Sequence, residues 1–457
     1  MKFGVNYTPR KGWFHSWLDF DPGEVKADFE AIAGLGADHV RIFPLWPLLQ
    51  PNRTLIRAAG IADVVRTVQI AAECGLDASV DVLQGHLSSF DFLPAWVQTW
   101  HRRNLFTDPL VVQGQRALVH ELAVALRELP NATGLTLGNE FVQFAATRHP
   151  DYDAISSAQA RAWLQELLGQ AKADWPGGVH VHSHDDDVWF DDTQAFTPQM
   201  AVSQGDQTTV HSWVFGRVGP RFGKSAPQLP WFARYLCELA AAWNPTPRPV
   251  WLQEIGAPEN YIDPIDAPQF LLDTVDILMG KHGGGVSPHL CAITWWCSHD
   301  VSRQLADFPA LEHSLGLIDE DGNAKPIGDA FALAARQWHD VDYVSAPASP
   351  TSAPEKTENT QVAESEGSAE ACGQLGVGQG ASFAEQQDCR PEIVFAPRDW
   401  RRSHISAEHD LFDRWYEAAS EHVPPALVLD TSRYLDDPDD KVRRADRAQT
   451  PFLSTQP

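Results

Sequence analysis

The chain has 457 residues, with 35 Lys or Arg against 61 Asp or Glu, so its formal charge is −26. Hydrophobic residues make up 43% of it, which is enough for a large core and excludes a chain disordered throughout. The negative charge argues against nucleic acid and anionic membranes as partners, because both attract basic surfaces. The 17 tryptophans are an excess that needs a use, either in the core or as flat stacking surfaces.

Sorting signals are not recognisable in the sequence. The chain starts with the strand-like MKFGVNY and contains no run of 18 apolar residues. Its six cysteines are scattered without a CxxC pair, which is typical of reduced thiols. We therefore expect a cytoplasmic protein with no membrane partner.

Short β-rich runs alternate with longer amphipathic segments from residue 2 to 342. The predicted strands are 3–7, 39–43, 78–83, 134–138, 179–183, 208–214, 249–254 and 290–296. The predicted helices are 22–35, 62–74, 111–129, 158–173, 231–243, 267–279 and 326–338, with a weak signal around 194–202. This alternation predicts an α/β fold, a (β/α)8 TIM barrel over residues 1–342. A doubly wound sheet is the alternative, but no glycine-rich phosphate motif follows the first strand.

The composition changes after the predicted barrel. Residues 343–389 are rich in Ala, Pro, Ser, Thr, Glu and Gly and cannot form a core, which predicts a disordered, flexible linker. Residues 390–457 regain some aromatic side chains, include one amphipathic stretch at 408–420 and carry an acidic run. We interpret them as a short tail in which one helix docks on the barrel.

Two glutamates close predicted strands, where the catalytic residues of TIM barrels lie. Glu140 closes GLTLGNEF (134–141), and Glu254 closes PVWLQEIG (249–256). An apolar strand precedes each of them, so we expect both charges at the mouth of the barrel and not in its packed interior. Two facing carboxylates are what glycosidic cleavage needs, one as an acid and the other as a nucleophile or base. The alternative is that each forms a surface salt bridge.

The sequence resembles the retaining (β/α)8 glycosidases of clan A and, within them, glycoside hydrolase family 5. Asn139-Glu140 is similar to the strand-four Asn-Glu pair, and Glu254 is similar to the strand-seven nucleophile. Further matches on strands two, six and eight are Arg41 in HVRIF, His211 in TVHSW, and Trp295-Trp296 in AITWWCSHD. The resemblance covers residues 1 to about 340 and is carried by the order and placement of these motifs.

One position departs from the family pattern. The family usually has a tyrosine two positions after the strand-six histidine, hydrogen-bonded to the nucleophile, and here that position is Trp213. An indole N–H can donate a hydrogen bond, but it cannot accept one or ionise. We therefore expect a changed environment for the nucleophile, with both carboxylates retained.

The resemblance implies a double displacement. Glu140 is expected to be the acid/base, its pKa raised by burial and by the second carboxylate, and Glu254 the nucleophile, kept ionised by Arg41. The candidate substrate-binding side chains are Arg41, Trp46, His86, Asn139 (at the sugar 2-hydroxyl), Asp185, His211, Trp213, Trp295 and Trp296. Core packing or loop hydrogen bonding is the alternative for each, and one of Trp295 and Trp296 is expected in the core.

The stretch VHVHSHDDD is similar to a metal site, with His180, His182 and His184 at strand spacing before Asp185. Alternate positions of a barrel strand face inward in any case, so these side chains can also line a pocket. The family resemblance implies hydrolysis without a metal or cofactor. We therefore predict no metal site and no cofactor.

The amino-terminal GVNYTPRKGWFHSW (4–17) is similar to subfamily 18 of family 5. This implies a β-mannosidase acting on small oligosaccharides such as mannosyl-β-1,4-N-acetylglucosamine. Long loops at 8–24, 46–60, 86–108 and 216–230 are expected to close one end of the cleft and enforce exo action. β-Glucosidase, β-galactosidase and endo-β-mannanase activities would use the same glutamates. A carbohydrate-binding barrel without catalysis is the alternative of another class, and the oligomeric state is not indicated.

Overall fold

The computed structural model describes residues 1–100, 103–244, 246–341 and 390–435, so the predicted linker 343–389 lies outside the described residues. The strands are β1 Lys2–Asn6, β2 His39–Ile42, β3 Asp77–Asp81, β4 His86–Leu87, β5 Phe90–Asp91, β6 Ala132–Thr136, β7 Thr208–Ser212, β8 Val250–Ile255, β9 Leu290–Trp295, β10 Glu392–Phe395 and β11 Ala426–Leu429. The helices are α1 Pro22–Gly34, α2 Trp46–Leu49, α3 Ala58–Glu73, α4 Pro109–Leu126, α5 Ser157–Asp174, α6 Asp187–Phe190, α7 Pro198–Ala201, α8 Val218–Phe222, α9 Phe232–Trp243, α10 Ala267–Leu278, α11 Pro326–Trp338 and α12 Asp410–Glu421.

Seven parallel strands form a curled sheet in the order β6-β3-β2-β1-β9-β8-β7. The predicted fifth strand, 179–183, lies between the two edges of this sheet. Its Val181 forms a parallel bridge to Thr136 in β6, and the backbone N–H of Asp206, just before β7, donates to the carbonyl of His180 at 2.9 Å. The predicted TIM barrel is therefore confirmed. In the part of the chain that the structure describes, no helix combines the length and the apolar character needed to span a bilayer.

The barrel helices begin at the capping residues that their sequences contain. The carboxylates of Asp21 and Asp108 accept backbone N–H groups of the first turns of α1 and α4, and a proline follows each aspartate. Ser156 and Gln159 form a capping box at the start of α5. Where the sequence gives a weak helix signal, after the fifth strand, the chain forms only the short helices α6 and α7.

The contact between the fourth strand, β6, and the fifth depends on a glycine. A Cβ atom built on Gly134 would lie 1.7 Å from the carbonyl oxygen of Val179. The backbone N–H of Val179 donates to the carbonyl of Thr133 at 2.8 Å, so the two segments are held at this distance by the ladder itself. Only glycine leaves enough space for this approach.

Residues 390–435, which we call the C-terminal segment, pack on the outside of the barrel. β10 and β11 form a parallel pair, and α12 packs against α9. The rings of Phe412 and Trp415 lie 5.0 and 5.3 Å from that of Tyr235, centroid to centroid, and the Tyr235 hydroxyl donates to the carbonyl of Ile405 at 2.7 Å. The segment thus contains a helix close to the predicted amphipathic stretch and, in addition, a small two-stranded sheet.

Candidate active site

The carboxyl ends of the barrel strands surround a cavity of about 600 Å³. Glu254, in β8, and Glu140, just beyond the end of β6, both line it. The loops after the third to the eighth strands complete its walls. Other predicted residues that line the cavity are His86, Asn139, Asp185, Trp213 and Trp296.

Glu140 and Glu254 form a compact cluster with His211 at the wall of this cavity. His211 itself is fully buried and does not line the cavity, which corrects the prediction that it binds substrate directly. One nitrogen or carboxylate oxygen of each lies within 4.8 Å of those of the other two. His211 Nδ1 is 2.8 Å from Glu140 Oε1 and 3.3 Å from Glu254 Oε2. Retaining glycosidases hold their carboxyl groups about 5–5.5 Å apart, whereas inverting enzymes leave about 6.5–9.5 Å to admit a water molecule. The short separation therefore suits nucleophilic attack by one of the two carboxylates.

Arg41, in β2, orients the groups around Glu254. Its Nη1 donates to Glu254 Oε1 at 2.9 Å, and its Nη2 donates to Asn139 Oδ1 at 2.8 Å. The guanidinium is itself held by both carboxylate oxygens of Asp81, at 2.9 and 2.8 Å. Arg41 is fully buried and does not line the cavity, which corrects the prediction that it binds substrate directly. It can act on a substrate only through Glu254 and Asn139.

The protonation of the cluster differs from the expectation. Burial favours a higher pKa for Glu140, but the hydrogen bond and charge of His211 lower this pKa to about 2. Burial raises the pKa of Glu254 above its ordinary value, against the opposing charges of His211 and Arg41. Burial acts to lower the pKa of His211, yet the charges of Glu254 and Glu140 raise it overall. In the free site the hydrogen bond and charge of His211 thus outweigh burial, so the pKa of Glu140 is lowered where the sequence analysis expects it to be raised.

Solved structures share this architecture, although the chain matches no family model and no curated protein. A variant of a GH5_18 protein (glycoside hydrolase family 5, subfamily 18) from Streptomyces cattleya, in complex with Manb1-4GlcNAc, is 41% identical, with a TM-score of 0.79 over 94% of each chain. A GH5_18 protein from Bifidobacterium longum subsp. infantis is 41% identical, with a TM-score of 0.79 over 95% of this chain and 93% of that chain. The chain belongs to glycoside hydrolase family 5, subfamily 18. It is therefore a glycoside hydrolase, as the sequence predicts.

A more distant structure agrees in fold. An exo-beta-1,4-mannosidase from Opitutaceae bacterium strain TAV5 is 23% identical, with a TM-score of 0.61 over 74% of this chain and 59% of that chain. At this identity the likeness concerns the barrel alone.

Trp213 stands where the family 5 pattern has a tyrosine, and it supplies the same hydrogen bond. Its indole Nε1 donates to Glu254 Oε2 at 3.1 Å, and this bond acts to lower the pKa of Glu254. Trp213 thus provides a hydrogen-bond donor to the second carboxylate oxygen of Glu254. What the indole cannot provide is an oxygen that accepts or ionises.

The two strand-eight tryptophans separate into a cavity residue and a core residue. Trp296 lines the cavity, with its ring centroid 6.4 Å from that of Trp213. Trp295, the last residue of β9, is 1% exposed and does not line the cavity. The alternation of side chains along a strand explains why only one of the neighbours can face the substrate.

Trp46 does not lie at the site. Its side chain is fully buried, its Nε1 donates to Gln50 Oε1 at 2.9 Å, and its ring meets that of Trp96 edge to face at 5.6 Å. This corrects the prediction that it binds substrate: a loop aromatic after the second strand packs under the neighbouring loop.

His86 and Asp185 both line the cavity. His86 Nδ1 is 2.9 Å from Asp91, whose other oxygen is 3.1 Å from His149 Nε2. Asp185 accepts from Arg148 Nη2 at 2.7 Å, and burial together with the charge of Glu140 raises its pKa to about 7. Both side chains present polar atoms at the position where a sugar would bind.

The side chains of His182 and His184 lie outside the barrel interior, where they pack on the aromatic rings of Trp163, Phe196 and Trp189. His182 and His184 stack at 5.7 Å, and burial lowers the pKa of His182 to about 3. His184 Nδ1 is 2.9 Å from Thr209 Oγ1. Within the described ranges, the two groups of three side chains close enough to share a metal ion are Glu140–His211–Glu254 and His86–Asp91–His149, and neither contains these histidines.

Several cavity residues escape sequence reasoning. Glu312 lines the cavity, although it lies well after the end of β9 in the sequence. Burial raises its pKa to about 7. Arg148 and Arg217 also line it, from the loops after the fourth and sixth strands. No spacing rule connects these residues to a strand end, and the only available signal was that they lie in loops at the catalytic face.

Proposed function

We propose that the chain is a retaining, exo-acting β-mannosidase that cleaves short β-linked mannosides such as Manβ1-4GlcNAc. The observation that carries the reaction type is the approach of Glu140 and Glu254 to within 4.8 Å around His211. The similarity to the Streptomyces cattleya protein, whose structure contains Manb1-4GlcNAc, supports the choice of sugar.

In the first step, Glu254 attacks the anomeric carbon while the bond to the leaving oxygen breaks. Glu140 gives its proton to that oxygen, and the proton held by His211 in the free site reaches Glu140 across the 2.8 Å hydrogen bond. Asn139 accepts from Arg41 through Oδ1, so its amide N–H groups are left to bind the sugar 2-hydroxyl. Arg41 and Trp213 hold the two oxygens of Glu254 in place for the attack.

In the second step, water enters from the side that the leaving group has vacated. Glu140, now a carboxylate, takes a proton from this water while the water oxygen attacks the anomeric carbon. The bond to Glu254 breaks, the sugar leaves with its original configuration, and the proton returns to the Glu140–His211 pair.

The closed end of the cavity supports exo action. Glu140 must face the leaving group, so the terminal sugar lies on the opposite side, between Trp296 and Glu312. The loops there are tied together by Phe308, whose ring lies 4.6 Å from Trp13 and 4.7 Å from Phe90. In this proposal, the loops joined by Phe308 block a longer chain at this end.

We further propose that the substrate is a small neutral oligosaccharide met in the cytoplasm. The described cysteines, Cys74, Cys237, Cys291 and Cys297, are all free thiols, which suits a reducing compartment.

Hydrolysis of a panel of aryl β-glycosides, followed by NMR, tests the proposal. We expect the β-mannoside to react fastest and β-mannose to appear first. Faster cleavage of the glucoside or galactoside would overturn the sugar, initial α-mannose would overturn retention, and internal cuts in mannan would overturn exo action.

A 2-deoxy-2-fluoro-β-mannoside should label Glu254. Glu254→Gln and Glu140→Gln should each lower kcat by a factor of about 10³ or more. The matched control is Glu128→Gln, which changes a side chain that is 84% exposed, and it should be fully active. A label on any other residue would contradict the assignment of the nucleophile.

A further inference from the structure

The C-terminal segment forms hydrogen bonds with the loop that follows the fifth barrel strand. Arg402, which is 3% exposed, donates to the carbonyl oxygens of Gln194, Val188 and Phe196 at 2.7, 3.1 and 2.9 Å. Next to it, Ser403 Oγ donates to Asp192 Oδ2 at 2.5 Å. One buried guanidinium thus fixes three backbone positions of a loop that has only two short helices of its own.

This loop carries acidic side chains of the cavity wall. Asp185, Asp186 and Asp187 all line the cavity, and Asp187 is the first residue of α6, directly before Val188. An Arg402 contact therefore lies one residue away from a cavity-lining carboxylate. The position of this wall depends on the C-terminal segment.

A second contact reaches the cavity through Arg217. This arginine lines the cavity, and its Nη2 donates to Asp187 Oδ1 at 2.8 Å. Its Nη1 donates to Glu408 Oε2 at 3.0 Å, and Ser406 Oγ holds the same oxygen at 3.0 Å. Glu408 itself does not line the cavity. The C-terminal segment thus supplies one of the carboxylates that fix the direction of the Arg217 guanidinium.

We propose that Arg402 and Glu408 are positioning residues for the sugar that leaves. Arg217 and Asp185–Asp187 lie on the same side of the cavity as Glu140, and the acid must face the leaving oxygen. A charged wall with fixed arginine donors and carboxylate acceptors suits a leaving group with hydroxyl and amide groups, and it offers little to a flat aryl group. This inference rests on the proposed function, because it assumes that Glu140 is the acid.

The test compares two leaving groups on the same terminal sugar, 4-nitrophenyl β-mannoside and Manβ1-4GlcNAc. For Glu408→Gln, we expect kcat/KM on the disaccharide to fall about 10-fold, mainly through KM, while the aryl substrate changes less than about twofold. Arg402→Lys should show the same asymmetry. The matched control is Asp413→Asn, which breaks the 2.6 Å contact of Asp413 with Arg221 outside the cavity and should leave both substrates unaffected.

The outcomes separate this inference from the proposed function. Equal losses on both substrates, or no loss on the disaccharide, would overturn the positioning role while leaving the glycosidase intact. If the wild type prefers another terminal sugar, the same comparison is made with that sugar. A wild type that cleaves no β-glycoside would overturn the proposed function and this inference with it. Thermal melting of each variant identifies a loss caused by unfolding, and Glu408→Gln, at a half-exposed residue, then decides.

Discussion

His211 ties the protonation of the two carboxylates together. Its Nδ1 lies between them, 2.8 Å from Glu140 and 3.3 Å from Glu254, inside a buried cluster. The carboxylates raise the pKa of His211, and His211 lowers that of Glu140 to about 2. In the proposed mechanism, the acid of the first step is therefore the Glu140–His211 pair, with one proton shared between its two members.

Removing His211 should move the alkaline limit of activity to lower pH. In the wild type the shared proton is lost only above the ordinary pKa of histidine, about 6.5, because the pKa of His211 is raised. In His211→Gln, Glu140 must hold the proton alone as a carboxylic acid, so we expect a lower limit and a kcat reduced about 10- to 100-fold. The pH profile of kcat/KM measures this. His339→Gln, at the other end of the barrel, is the control, and an unmoved limit would contradict the pairing.

Trp213 should matter through its N–H group. Trp213→Phe removes the 3.1 Å hydrogen bond to Glu254 and so raises the pKa of the nucleophile. We expect kcat/KM, and the rate of labelling by a 2-fluoro glycoside, to fall about 10-fold. Trp213→Tyr restores a donor and should recover most of the loss. Equal rates for Phe and wild type would show that Arg41 alone orients the carboxylate.

Site residues that follow regular strands are predictable from the sequence, whereas those that are positioned by loops are not. Glu140 and Glu254 each follow an apolar strand, and the barrel geometry then brings them together. The location of Arg217 and Glu312 depends on the path of loops that are held by contacts distant in sequence. The burial of Trp46, and the choice between Trp295 and Trp296, could not be predicted because a residue type does not reveal which side of a backbone faces the cavity.

At the scale of elements, the barrel closes at its fifth strand, which forms little of the regular hydrogen-bonded ladder with its neighbours. The fifth strand contributes one bridge, Thr136–Val181, and its approach requires the missing Cβ of Gly134. Alternation and strand length therefore predict this strand's place in the chain, but they cannot predict how little ladder it forms. The same limit applies to the C-terminal segment, whose two strands pair with each other beside α9.

Gly134→Ala should destabilise the barrel strongly. A Cβ atom 1.7 Å from the Val179 carbonyl forces the backbone apart, and we expect the free energy of unfolding to fall by at least about 3 kcal/mol. Gly177→Ala is the matched control, since a Cβ atom there has nothing within 4 Å. Urea unfolding of the two variants measures the difference. Similar midpoints would mean that the fourth and fifth strands are further apart than the structure has them.

At the scale of the molecule, the excess of acidic over basic residues in the whole chain is also present among the residues that line the cavity. The cavity contains Glu140, Glu254, Glu312 and the 185–187 run, facing the cations Arg148 and Arg217. A negatively charged surface repels anionic ligands and leaves neutral ones unaffected. The formal charge of −26 is therefore compatible with a neutral sugar substrate.

Salt should have little effect on a neutral substrate. Between about 10 mM and about 500 mM salt, we expect kcat/KM for an aryl β-mannoside to change less than about twofold, because screening acts on charged ligands. A 6-phosphorylated mannoside should react more slowly and gain rate as salt is added. A steep salt dependence with the neutral substrate would contradict this account of the cavity.

If the proposed mechanism holds, the wall formed by Arg217 and residues 185–187 also selects the acceptor when the sugar is transferred to an alcohol instead of water. Once Glu254 carries the sugar, any alcohol that replaces water must approach from the side the leaving group has left. An acceptor sugar that fits this wall would then receive the glycosyl group, and others would lose to water. Glu408 and Arg402 are remote from the catalytic pair, so altering them offers a way to change which acceptors are glycosylated without touching the groups that make and break the bond.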